Sequence, residues 1–208
     1  MNKTLIVMVV CLSRLSGQVP CERFEDGYRD VRWQSTANRT DRFFQKKTFK
    51  REVFEDFQTN DNRQGLVVLY SRGSYSDFRS DRDHEEVNLI ILVDHPISIT
   101  YIFHFNWTYH INTAKEIATD IATQYKLPMT ANQVDRYGNI NLAWVGSCDG
   151  KRIIVRFVWT EIIGGETTRY VAFEVMKIKE NEEFEQLRII ANREEEERSK
   201  KNIKKKFQ

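Results

Sequence analysis

The chain has 208 residues, 40% of them hydrophobic, and carries 13 Phe, 4 Trp and 8 Tyr. That supply of large apolar side chains excludes a disordered chain, and the length suits one domain or two small ones sharing a core. A formal charge of +2 is too small to supply the pull behind most non-specific nucleic-acid binding, so nucleic acid is not an expected partner.

At the start, Lys3 precedes an apolar run, Leu5–Leu12, and then Ser13-Arg-Leu-Ser-Gly17. One positive charge, about eight apolar residues and a small-residue stop are the layout of a secretory signal peptide. This predicts 1–17 as the leader of a secreted or periplasmic protein. The run falls well short of the roughly 20 apolar residues of a membrane span. With Lys3 and Arg14 removed, 30 basic side chains face 30 acidic ones. Cys11 leaves with the leader, and the remaining pair, Cys21 and Cys148, is expected to form a disulfide in an oxidising compartment. Val10 precedes Cys11 and Pro20 precedes Cys21; neither is the small residue that lipid attachment requires.

From Thr36 to Phe57, Phe49, Val53 and Phe57 recur every fourth residue and predict a helical face. The cluster Asn60–Gly65 predicts a turn, Leu66–Tyr70 a short strand, and 71–86 a polar loop. Val87–Val93 is a continuous apolar strand punctuated by Asp94-His95-Pro96. Residues 97–111 alternate: Ile97, Ile99, Tyr101, Phe103, Phe105, Trp107 and Tyr109 face one way, and Ser98, Thr100, His104, Asn106, Thr108 and His110 the other, with Ile102 the one exception. That is a half-buried antiparallel strand, long enough to require a bend near Asn106.

Thr113-Ala-Lys-Glu116 has the form of a capping box, with Ala114, Ile117, Ala118, Ile121, Ala122 and Tyr125 on one helical face and Pro128 as the stop. Strands are predicted over Ile140–Val145, Arg152–Trp159 and Arg169–Ile178, with turns at Gly146–Gly150 and Gly164-Gly165. The segment 181–208 predicts a charged helix, acidic at its start and lysine-rich at its end, as the helix dipole prefers. Its apolar residues (Phe184, Leu187, Ile190, Ala191) stop halfway, so the first half should dock and the second project. The whole reads as α+β: antiparallel sheet in tandem αβββ units, 36–111 and 112–179, within one domain over 18–180, followed by the C-terminal helix.

The motifs resembling catalytic or metal sites fail on local structure. Gly146-Ser-Cys148-Asp-Gly150 has the spacing of a nucleophile elbow, but that device needs a helix after the turn and Lys151–Trp159 predicts a strand. His84-Glu85-Glu86-Val87-Asn88 opens like a zinc peptidase helix but has Asn88 at the second histidine. Asp81, Asp83, His84, Glu85 and Glu86 read as a solvated acidic loop, and His95 as a turn residue. His104 and His110 lie about 20 Å apart along an extended strand, too far to share a metal. Asn38-Arg-Thr40 and Asn106-Trp-Thr108 are glycosylation sequons. The basic runs Lys46–Arg51 and Lys200–Lys206 read as solvated helix faces, the second also able to touch an anionic membrane. No catalytic residue, cofactor or metal is expected.

The helix ending Gln124-Tyr-Lys-Leu-Pro128, the stretch Asn139–Trp144 and the strands to Ile178 resemble a pattern in small exported bacterial proteins. There a helix closes on a Lys-Tyr-Gly-x-Pro-like signal before a Trp-containing hairpin; here Leu127 stands at the glycine. The repeated helix-plus-strands order is similar to that of the β-lactamase inhibitory protein and the outer-membrane assembly lipoproteins. The resemblance implies an exported protein that binds another protein through a sheet face. The expectation is a non-enzymatic binding module of inhibitor, immunity or envelope-adaptor type, with Thr100, His104, Asn106, Thr108 and His110 as its face. The alternative is a secreted hydrolase or toxin using a dispersed His/Asp/Glu site.

Overall fold

The first helix is set at both ends by side-chain and backbone chemistry. The Thr36 hydroxyl accepts from the Arg39 N–H (3.2 Å) and opens α1, Ala37–Lys46. Thr48 then adopts a left-handed conformation (φ 63°). The Phe49 N–H bonds the Phe44 carbonyl (3.1 Å) and the Thr48 N–H bonds the Gln45 carbonyl (3.0 Å), with the two phenyl rings 5.3 Å apart. These are the paired bonds and apolar contact of a Schellman stop. The expected helix over 36–57 is therefore corrected: it ends after ten residues, and Lys50–Gln58 is a strand.

The computed structural model describes residues 19–72, 84–105, 111–135, 138–160 and 168–206. Residues 1–17, the turn at Gly164-Gly165, the bend near Asn106, and Asp81 and Asp83 lie outside the described residues. A short 3-10 turn, Cys21–Phe24, leads into a two-stranded hairpin of β1 (Gly27–Tyr28) and β2 (Val31–Arg32). After α1 come β3 (Lys50–Gln58), β4 (Gln64–Arg72), β5 (His84–Leu92) and β6 (His95–His104). Then follow α2 (Ile111–Gln124), β7 (Met129–Val134), β8 (Ile140–Cys148), β9 (Lys151–Thr160), β10 (Thr168–Lys177) and α3 (Ile178–Lys206).

Strands β3 to β10 form one antiparallel eight-stranded sheet in the order β3-β4-β5-β6-β10-β9-β8-β7. Each of the first two helices is followed by four strands, where three were expected. The extra strands, β3 and β7, are the two sheet edges. Two-residue loops with left-handed residues close β5 to β6 (Val93 φ 46°, Asp94 φ 70°) and β8 to β9 (Asp149 φ 46°, Gly150 φ 72°). That backbone twist matches the twist of the strands.

Helix α2 begins at Ile111, so Thr113 lies within its first turn and does not cap it. Ala114, Ala118 and Ala122 are buried as expected, while Ile117 is largely exposed. The helix stops as α1 does: Lys126 is left-handed (φ 54°), and the Leu127 N–H bonds the Ala122 carbonyl at 2.8 Å. The stop therefore precedes Pro128.

The two sheet faces differ in cover. Val68, Tyr70, Leu89, Ile99, Val155, Phe157, Leu142 and Val175 face the main core, closed by α1, α2 and the N-terminal residues Phe24, Val31 and Trp33. On the other face α3 lays Phe184 and Leu187 against Leu92 and Ile97, with Phe57, Val67 and Ile90 beside them. Arg188 reaches Glu55 (3.5 Å) and Glu194 accepts from the Asn60 N–H (2.9 Å). Farther along the helix, Ile203 is exposed.

Candidate functional site

Because α3 packs at the turn end of β5–β6 and on the β3–β4 side, part of that second face carries no helix among the described residues. Pairing puts three rows of side chains there. His84, His104, Tyr170 and Val158 form the first; Glu86, Ile102, Ala172 and Arg156 the second; Asn88, Thr100, Glu174 and Ile154 the third. The last two rows, Glu86 apart, with Ile90, Ser98 and Tyr170 line a shallow depression of about 240 Å³.

At one end of this grid two imidazoles share one carboxylate. His84 Nε2 is 2.8 Å from Glu86 Oε1 and His104 Nε2 is 3.1 Å from Glu86 Oε2, with the histidine rings 5.4 Å apart. An ionised carboxylate only accepts, so each ring carries its proton on Nε2. Burial alone would raise the Glu86 pKa, but the hydrogen bonds from His104 and then His84, with their charges, outweigh it and hold the carboxyl below its usual range. The Tyr170 ring packs on His104, centroids 5.9 Å apart. Both Nε2 atoms point at Glu86, not at a common vacancy, and among the described residues no group of three His, Cys, Asp or Glu is disposed to hold a metal.

At the other end Glu174 behaves in the opposite sense. Burial raises its pKa, and the charge of Arg156, a hydrogen bond with Ser98 and the charge of Arg152 only partly offset the rise. The Asn88 Oδ1 beside it is buried without a hydrogen-bond partner among the described residues. The grid thus combines a carboxylate held by two histidines with one under strain from desolvation, in adjacent rows two residues apart along the strands.

Of the five residues expected to form a binding face, Thr100 and His104 lie on this grid; Asn106, Thr108 and His110 are outside the described residues. Linear reading missed Glu86, Arg156, Tyr170 and Glu174 as neighbours of Thr100 and His104. The alternation Tyr170-x-Ala172-x-Glu174 on β10 was the available signal. His84 sits on a strand, and His95 begins β6 with its Nδ1 3.2 Å from the Ser35 carbonyl.

Cys148 is the last residue of β8, and a strand follows it. It and Cys21 are free thiols in the structure, with no disulfide between them. They are nonetheless neighbours. Val19, two residues before Cys21, packs on Gly146, two residues before Cys148, where an added methyl would lie 2.9 Å from Val19 Cγ2. Burial, with the contact from Cys21, pushes the Cys148 thiol up to about 12.

Comparison with protein-family models, with curated proteins and with solved structures finds no match to this chain.

Proposed function

We propose that the protein is an exported, non-enzymatic binding module that engages another protein through the uncovered sheet face. The observation that carries this reading is the grid itself: a polar, partly apolar surface spread over four strands, with Glu174 partly desolvated and Asn88 unsatisfied. Its depression of about 240 Å³ is smaller than the roughly 300–1,000 Å³ of small-molecule sites, which favours a macromolecular surface over a substrate pocket. Tyr170, His104 and Arg156 supply the aromatic and cationic anchors common at such interfaces.

The tandem arrangement supports the same reading: two helix-plus-strand halves, each helix ended by a left-handed residue, make a sheet broad enough to present a face. The apolar run Leu5–Leu12 and the neighbouring Cys21 and Cys148 support export to an oxidising compartment. Among the described residues no helix is long and apolar enough to cross a membrane.

The test compares three proteins in capture experiments from the native surroundings: wild type, the face variants Tyr170→Ala and Arg156→Glu, and a chain lacking Arg198–Gln208. A partner retained by the truncated chain and lost by both face variants is the expected result. A partner indifferent to the face variants but lost with the tail, together with salt-sensitive sedimentation on anionic vesicles, would replace this reading with attachment through the lysine-rich helix end.

A further inference from the structure

The helix-covered side of the sheet holds a second concavity, independent of the proposed binding face. Beside α2, above β6 and β10, Tyr101, Phe103, Phe105, Ile117, Ile121 and Phe173 line an apolar cleft of about 480 Å³. That volume falls within the usual small-molecule range of about 300–1,000 Å³. Phe103 and Ile117 are 43% and 48% exposed, so the lining opens to solvent.

Two charged side chains, Arg29 and Glu85, line the cleft, and only the cation is left without an ion-pair partner among the described residues. Arg29, at the tip of the β1–β2 hairpin, holds its guanidinium 4.8 Å from the centre of the Tyr101 ring. The neighbouring acids are paired elsewhere: Asp30 with Lys47 at 2.9 Å and Glu85 with Arg72 at 2.7 Å. Among the described residues Arg29 itself has no carboxylate partner. It also holds a left-handed backbone conformation (φ 50°), which favours glycine or asparagine. The Tyr101 hydroxyl is buried without a well-formed hydrogen bond, approached by the Asp30 backbone N–H.

We infer that this cleft binds a small anionic amphiphile of the medium-chain carboxylate class. Its hydrocarbon lies between Ile117, Phe103 and Phe173, and its acid group meets Arg29. The apolar lining supplies affinity without regard to charge, and the guanidinium discriminates the acid from the alcohol of the same length.

The experiment is calorimetric titration of the full chain with sodium decanoate, and with decanol as the uncharged control. Saturable binding of one decanoate is expected. Arg29→Asn keeps the hairpin, because asparagine tolerates the left-handed conformation, and should weaken decanoate by about tenfold or more while leaving decanol unchanged. Ile117→Trp, at a half-exposed helix position, should remove binding of both probes, with Ile121→Phe as a second filling variant. Unchanged melting temperatures establish that the variants are folded. Absence of saturable decanoate binding, equal affinity in Arg29→Asn, or undiminished binding in both filled variants each overturns the assignment.

Discussion

Joining Cys21 to Cys148 is the perturbation that most directly tests the chain's expected compartment. The reaction is balanced with oxidised glutathione: two protein thiols and one glutathione disulfide give one protein disulfide and two glutathione thiols. The bridge would close a loop of about 127 residues, for which the chain-entropy estimate is about 5 kcal/mol, an upper figure because native strain reduces it. For a chain of this size each kcal/mol moves the melting temperature by about 2–4 °C, so the oxidised protein should melt about 10–20 °C higher than the reduced one. Each exchange step needs a thiolate, and the Cys148 thiol is pushed up to about 12, so oxidation should run much faster at pH 9 than at pH 7. Calorimetric melts with and without reductant, paired with intact mass after maleimide labelling, read both quantities. If both thiols still label after prolonged oxidation at pH 9, or the two melts coincide, the reasoning from their proximity fails.

Other outcomes follow from single side chains. Glu174→Gln should stabilise the protein at pH 7: burial raises this carboxyl's folded pKa, so ionising it costs stability as pH rises, and the gain should vanish below the ordinary carboxylate range. Glu86→Gln should do the reverse, since its depressed pKa contributes stability at neutral pH that is lost as pH falls through the folded value; parallel melts across pH 3–8 separate the two. Phe184→Ala should cost about 3–5 kcal/mol in chemical denaturation by emptying the contact with Phe57, whose ring centroid lies 5.2 Å away. Lys126→Gly should gain about 0.5–1 kcal/mol in the same assay, because glycine holds the left-handed helix stop without steric cost.

The parts of the fold legible in the sequence are those with strong local periodicity: the alternation of 97–104, the alanine face of α2, the strands β8 to β10 and the half-docked α3. Besides the short β1–β2 hairpin, the two missed strands are the edges of the eight-stranded sheet. β3 is exposed along most of its length and β7 nearly so, so neither shows the alternation of a strand with one buried side. The spacing of Phe49, just before β3, and of Val53 and Phe57 within it imitated a helix. Glycine at positions 48 and 126 would have announced both helix stops; threonine and lysine hold the same backbone and concealed them. Thr100 and His104 could be placed on one strand face from alternation alone. Their neighbours Glu86, Tyr170, Glu174 and Arg156 depend on strand order, and no local pattern signals that β10 lies against β6.

That single juxtaposition governs how the molecule holds together. Every other pairing in the eight-stranded sheet joins strands consecutive in the chain, so each half can zip up on its own; β6 against β10, from Tyr170–His104 to Met176–Ser98, is the one seam between them. The entropic toll of a long closure falls on it alone. The rows His84–His104–Tyr170 and Asn88–Thr100–Glu174 straddle the seam, so they exist as a surface only while the halves are zipped. A partner gripping both sides would clamp the two halves shut and protect the seam's amides from exchange.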